Sequence, residues 1–346
     1  MQWILLSEDN GYRLRKINDK KRGWIVMKVF LTGATIGGLV LAAVPAQAER
    51  DTAQFTSLTV FGDSLVDAGN IFTATGGAIP DPNLGYFNGR FTNGFDYTDL
   101  LSIELFGAPT VASLQGGTNF AFGGARASET SGVPDLGEQL GAYAAYLTVP
   151  GNEVDENGLF ILNFGGNDIF NAPDDPVEAD VFVRQAAQDY AAGVQALNDI
   201  GARNLLLTGF PVLDDSLSFL AEFYLTQELA ALNLMDDTSL FHFSYLDFFT
   251  RLGTDPGAFG LPPQDLTQTC LEAGPAAVAG GCVGIFSFDG VHPTAPIHQA
   301  LFDDINSQFN LTASVPEPAT WAMMIFGFFI TGTALRRRQK IRVSYG

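Results

Sequence analysis

Lysine is missing from the body of this chain, histidine and cysteine are scarce, and each shortage excludes a class of function. Of 18 Lys+Arg, seven fall in residues 1–28 and five in residues 336–346; residues 49–318 hold only Arg50, Arg90, Arg126, Arg184, Arg203 and Arg251. Against these six stand 35 Asp+Glu, a net charge of −29 for that stretch. Such a surface repels a phosphate backbone, which excludes a nucleic-acid binder. Three histidines and two cysteines exclude a zinc ribbon or an iron–sulfur protein. What is abundant is apolar: 47% of 346 residues, with 16% charged, is material for a sizeable core and one large domain.

Both ends read as addresses. Lys28, an apolar run from Val29 to Val44 and Ala46-Gln47-Ala48 have the order of a signal peptide with its A-x-A cleavage site. The 26 residues before Met27 are basic and polar and are expected to contribute no fold, so translation is expected to begin at Met27; an unusually long n-region is the alternative. Export would place Cys270 and Cys282 in an oxidising compartment, where a disulfide between them is expected. At the other end, Pro316-Glu317-Pro318 precedes an uncharged run of 17 residues, 319–335, and then Arg336-Arg337-Arg338. The run is near the lower limit of about 17 residues for a membrane span. This tripartite tail, residues 315–346, resembles the PEP-CTERM sorting signal of Gram-negative bacteria. The resemblance implies a precursor tethered to the inner membrane, cut by an exosortase-type enzyme near the Pro-Glu-Pro and released to the cell surface or extracellular matrix.

Between the addresses lies one segment, residues 49–314. Strand-like runs at Ser57–Phe61, Asn119–Phe122, Leu159–Phe164 and Asn204–Thr208 each end at glycine or a turn. Helical patterns at Pro134–Leu147, Pro176–Ile200, Ser216–Met235 and Thr294–Phe309 lie among them. Short apolar strands alternating with helices predict an α/β domain with a parallel sheet covered on both faces. Chemistry in such sheets sits at the carboxyl ends of the strands.

The first strand runs into Gly62-Asp63-Ser64-Leu65, which puts Ser64 at that edge. Valine at position 66 separates this from the G-x-S-x-G elbow. Asp289 and His292, three residues apart in a loop before a helix, can face one pocket: the aspartate orients the imidazole, and the imidazole takes the serine proton. Asn119–Ala125 ends in the pair Gly123-Gly124, and Leu162–Asp168 ends in Gly165-Gly166-Asn167-Asp168, placing an uncharged amide donor at the same edge. Asp63, Asp67 and Asn70 are expected to fix the strand–helix turn, and Asp168 to brace its loop. His242 is expected to be structural, and His298 half-exposed on the closing helix.

These four blocks resemble those of the GDSL, or SGNH, hydrolase family. The longer forms Gly62–Asn70, Gly89–Gly94 and Asn119–Ala125 look like the subfamily of plant GDSL lipases and bacterial thermolabile haemolysins. The resemblance implies a flavodoxin-like three-layer α/β/α sandwich with a five-stranded parallel sheet, and ester hydrolysis without metal or cofactor. It makes Ser64 the nucleophile, His292 the base and Asp289 its orienter, with an oxyanion hole from the Ser64 N–H, the Asn167 amide and a glycine N–H. Counting from Asn119 assigns Gly124, with Gly123 as the alternative. The substrate is an ester of a small molecule, lipid or glycan. Acyl transfer, de-acetylation of an extracellular polysaccharide, or a non-catalytic role in the surface matrix are the competing readings.

Overall fold

The computed structural model describes residues 55–128, 131–211 and 216–312, together with the two strands β1 (Trp3–Glu8) and β2 (Gly11–Lys16). The chain divides into two units, Met1–Glu49 and Arg50–Gly346. In the first, β1 and β2 pair antiparallel, with Glu8 opposite Gly11. This corrects the expectation that the residues before Met27 contribute no fold: Trp3–Leu6 is an apolar run, and in the pairing Leu14 lies opposite Leu5 and Tyr12 opposite Ser7. The segments expected to be the signal peptide and the sorting tail lie outside the described residues.

The second unit is built on four parallel strands in the order β3 (Leu58–Gly62), β4 (Leu159–Asn163), β5 (Asn204–Thr208) and β6 (Ser239–Phe243). The helices that cover it are, in chain order, α1 (Asn70–Ala74), α2 (Tyr97–Phe106), α3 (Leu136–Leu147), α4 (Gly166–Phe170), α5 (Pro176–Asp199), α6 (Ser216–Ala230), α7 (Tyr245–Thr254), α8 (Cys270–Ala273), α9 (Pro275–Ala279) and α10 (Ala295–Phe309).

Side chains alternate across a strand, and here the alternation feeds two cores. Phe61, Phe160, Leu162, Leu205 and Leu207 pack with residues of α3, α5 and α6. Leu58, Val60, Leu159, Ile161 and Leu206 pack with residues of α2, α7 and α10. Both faces are buried, so the strands read as continuous apolar runs, and the layers are helix, sheet, helix. Helix boundaries follow local chemistry. Asp175 caps α5 by accepting from the N–H groups of Val177 and Glu178, with Pro176 in the first turn.

The sheet departs from the expected five strands at Asn119–Phe122. This segment lies along β3, with Phe120 N–H donating to Val60 O at 2.7 Å and Phe122 N–H to Gly62 O at 3.0 Å, yet only Asn119 forms a bridge. The Gly62 N–H, which would continue the ladder on this side of β3, donates instead to Gln139 Oε1 at 2.8 Å, while Asn119 and Asp67 take the alternate N–H groups of the segment, those of Ala121 and Gly123.

Candidate active site

Ser64 stands in the turn that follows β3. Only glycine fits at position 62, because a Cβ there would lie 2.5 Å from Val66 and 2.7 Å from the Asn163 carbonyl. Past it, Asp63 holds the turn by accepting from Leu65 N–H at 3.0 Å and from the Asn163 amide at 3.1 Å. Burial pushes the Asp63 carboxyl up to about 7. Asn163 in turn accepts from the hydroxyls of Tyr97, Tyr245 and Thr208, a buried polar floor beneath the serine. Asp67 gathers the N–H groups of Gly69, Asn70, Ile71 and Gly123, and Asn70 donates to the carbonyls of Asn119 and Ala121. Both residues thus fix the turn.

The loop before α10 closes on itself. Phe288 N–H donates to His292 O, and Thr294 N–H to Phe286 O. This puts Asp289 and His292 on one side of the loop and against the serine. His292 Nε2 lies 2.7 Å from Ser64 Oγ, and Nδ1 lies 2.7 Å from Asp289 Oδ2. The Asp289 carboxylate accepts from the N–H groups of Val291 and His292 through Oδ1, and from the Tyr86 hydroxyl at 2.7 Å through Oδ2. Burial alone would raise this carboxyl; the His292 ring, its N–H and Tyr86 outweigh burial and hold it well below the usual carboxylate range. Burial and the adjacent carboxylate together push the Tyr86 hydroxyl far up.

Four supports of this loop were not assigned a role from sequence. Tyr86 reaches Asp289. The Phe91 ring lies 5.1 Å from the His292 ring. The Thr92 hydroxyl donates to Pro293 O at 2.8 Å, and Asn93 Oδ1 accepts from Ala295 N–H at 2.8 Å, at the entrance to α10. The Gly89–Gly94 block noted as a family form is therefore the cradle of the histidine. A disulfide joins Cys270 and Cys282. It packs with Phe288 and Tyr86, while the N–H groups of Cys270 and Leu271 donate to Ser287 O and Phe288 O. The bridge thus sits directly behind the loop that carries Asp289.

Gly123 and Gly124 separate clearly. Gly123 is buried and its N–H is taken by Asp67 at 2.9 Å. Gly124 is exposed, with a φ of +90°, a conformation that suits glycine. No hydrogen bond among the described residues takes up the N–H of Gly124 or of Ser64. Asn167, in the first turn of α4, donates one amide hydrogen to Ala125 O at 2.9 Å and keeps a second free. Asp168 locks the two loops together by accepting from the N–H groups of Ala127 and Ser128 and from the Ser128 hydroxyl. Ser64, Asn167 and Pro293 line a cavity of about 250 Å³. Asn167→Ala is expected to reduce ester turnover by roughly 10²–10³, the usual cost of one oxyanion donor, with little change in KM. Steady-state kinetics check this, and a loss confined to KM would remove Asn167 from that role.

His242 lies in β6, with its Nε2 3.1 Å from Glu222 Oε1. His298 is not half-exposed; it is buried, 1% accessible. It shares the inward stripe of α10 with Thr294, Ile297, Leu301 and Ile305, all buried at helical spacing. Burial, and secondarily the charge of His292, push its imidazole down to about 3. The native chain therefore binds fewer protons than the unfolded chain between pH 3 and the ordinary imidazole value of 6.5. Its contribution is intact above that window and is lost as pH falls through it. Between pH 6.5 and pH 5 the native chain should lose more stability than His298→Leu, by on the order of 1 kcal/mol per pH unit. Urea unfolding at both pH values checks this; parallel losses in the two proteins would contradict it.

A profile of the GDSL-like Lipase/Acylhydrolase family matches residues 58–305, which spans β3 through most of α10. The chain belongs to that family. The thermolabile hemolysin of Vibrio parahaemolyticus is 33% identical over 159 residues, covering 46% of this chain and 34% of the hemolysin. Lipase 1 of Photorhabdus luminescens is 31% identical over 181 residues, covering 49% of this chain and 24% of that lipase. A GDSL esterase/lipase of Arabidopsis thaliana is 29% identical over 222 residues, covering 54% of this chain and 58% of the relative. The matched region is thus between a quarter and three fifths of the length of these relatives. Among the described residues of this GDSL family member, no helix is long and apolar enough to cross a membrane.

Proposed function

We propose that this chain is an exported serine hydrolase that cleaves carboxylic esters through an acyl-serine intermediate. The observation that carries the reading is the unbroken line from Ser64 Oγ through the imidazole to Asp289, 2.7 Å at each step. With Nδ1 protonated and held by the carboxylate, Nε2 accepts the serine proton as Oγ attacks the ester carbonyl. The oxyanion that forms is met by the N–H of Ser64, the N–H of Gly124 and the second amide hydrogen of Asn167. The imidazolium, stabilised by Asp289, then protonates the leaving alcohol. Water repeats the sequence on the acyl-enzyme and releases the acid. Treatment with a fluorophosphonate followed by peptide mass mapping tests the reading. Phosphonylation of Ser64 is the expected result; an unmodified Ser64 under conditions that label other serine hydrolases would favour a non-catalytic surface protein.

The reading extends to the ends of the chain. Residues 28–48 direct export, residues 49–314 are the hydrolase domain, and residues 315–346 are a PEP-CTERM signal with its membrane segment at 319–335, cut by an exosortase-type enzyme. The support is the order of motif, apolar run and basic stop in the sequence. The product, residues 49–318, would carry −29 and stay off anionic surfaces. Mass spectrometry of the protein from its host decides this. A peptide joining residues 318 and 319 in most molecules would mean a permanent anchor instead.

A further inference from the structure

Next to the cavity at Ser64 lies a second cavity of about 230 Å³, and the two share one wall. That wall is the pair Phe249 and Phe286, whose rings meet edge to face with centroids 5.4 Å apart. Both rings line both cavities. The second cavity is otherwise lined by Leu252, Pro256, Pro263 and Leu266, with Gln264 as its one polar side chain and no ionisable group. We infer that Phe286 is the partition that sets the length of acyl chain this enzyme accepts, and that the second cavity is an extension of the acyl site for longer linear chains. The inference rests on the hydrolase reading of Ser64.

The two leaves of the wall are held differently. Phe249 is 4% exposed, belongs to the core under α7, and stacks on Tyr245 at 5.5 Å with an interplanar angle of 10°. Moving it would cost core packing. Phe286 is only half-buried. Its backbone is pinned, the N–H to Asp265 O at 3.2 Å and the O by Thr294 N–H at 3.0 Å, so the side chain is the part free to turn. It is also two residues from Phe288 and three from Asp289, in the same closed loop that presents His292.

The chemistry of the walls selects the occupant. An acylated sugar would need hydrogen-bonding partners along the pocket, and the second cavity supplies one amide. An alkyl chain needs none and is favoured by every apolar surface it covers. The cavity beside Ser64 ends on this side at the Phe249–Phe286 wall, so an acyl chain long enough to pass it needs the wall to open. Shorter chains fit beside Ser64 with the wall in place. An apolar extension of this kind favours long aliphatic acyl chains over acetyl as the acid part of the ester.

The test is kcat/KM for p-nitrophenyl esters from acetyl to palmitoyl, on the native chain, Phe286→Ala, Phe286→Leu and the double variant Phe286→Ala/Leu266→Trp. Each methylene that gains apolar cover is worth roughly fourfold in kcat/KM. Phe286→Ala should raise the ratio of dodecanoyl to hexanoyl turnover at least tenfold, and Phe286→Leu should raise it less. Tryptophan at position 266, refilling the second cavity, should return the ratio toward the native value. An unchanged ratio in Phe286→Ala and Phe286→Leu, with turnover retained, overturns the partition and leaves the hydrolase reading standing. No turnover of any ester by the native chain, with Ser64 unlabelled by a fluorophosphonate, overturns the hydrolase reading and the partition with it.

Discussion

Ser64→Ala is expected to lower kcat/KM for carboxylic esters by about 10⁶ while leaving the chain folded, because the members of a serine triad act as one unit and removing the nucleophile removes the covalent route entirely. What would survive is binding and the oxyanion donors acting on attack by water. The structural cost is small. Ser64 is half-buried at a cavity mouth, and among the described residues its hydroxyl meets only His292. The strand–turn geometry does not depend on that hydroxyl, since Asp63 and Asn163 hold the turn through their own hydrogen bonds. Losing one half-exposed hydrogen bond should change stability by no more than about 1 kcal/mol. Denaturant unfolding should therefore nearly superimpose for the two proteins, while ester turnover and fluorophosphonate labelling both vanish. Turnover within tenfold of the native chain would end the assignment of Ser64.

The sheet and the site were legible in the sequence to different depths, for physical reasons. β3, β4 and β5 stood out because strands buried on both faces become unbroken apolar runs, and each ends in the glycine or turn that the edge of a parallel sheet requires. Ser64, Asp289 and His292 could be grouped as candidates because His292 is one of three histidines and each lies in a short motif beside those edges or before the closing helix. α2 was missed because it buries Thr98, Asp99 and Ser102 alongside Tyr97, Leu101 and Leu105, which erases the contrast between its faces. Those polar groups are tolerated because partners reach them: Asp99 is bound through both oxygens by Arg90, a contact between segments that no periodicity reports. The cradle of His292 was hidden for the same reason. Tyr86, Thr92 and Asn93 lie about 200 positions from the residues they hold, and only the folded chain brings them together. Asn119–Phe122 has the propensity of a fifth strand, but propensity says nothing of a side chain such as Gln139 that captures the Gly62 N–H the ladder would need.

Asp289→Asn should cost about 10⁴ in kcat/KM, although it changes one atom and keeps the shape of the side chain. The geometry dictates how the asparagine must sit. Oδ1 accepts two backbone N–H groups, from Val291 and His292, at 3.0 and 2.9 Å. An amide nitrogen there would set donor against donor twice, so the asparagine keeps its oxygen in that place and turns its NH₂ toward Tyr86 and His292 Nδ1. A donor facing Nδ1 is satisfied only if that nitrogen is the acceptor. The proton then resides on Nε2, pointing at Ser64 Oγ, and the ring cannot take the serine proton. The native carboxylate does the reverse, holding the proton on Nδ1. Tyr86→Phe is the control: it removes one donor from the same carboxylate but leaves the charge, the two backbone bonds and His292 in place, so its effect on kcat/KM should stay within about tenfold. Kinetics on both variants, with the rate of fluorophosphonate labelling as a second readout, separate the tautomer argument from a general loosening of the loop. Equal losses in the two variants, or an Asp289→Asn enzyme within tenfold of the native chain, would show that the carboxylate does not set the proton on His292.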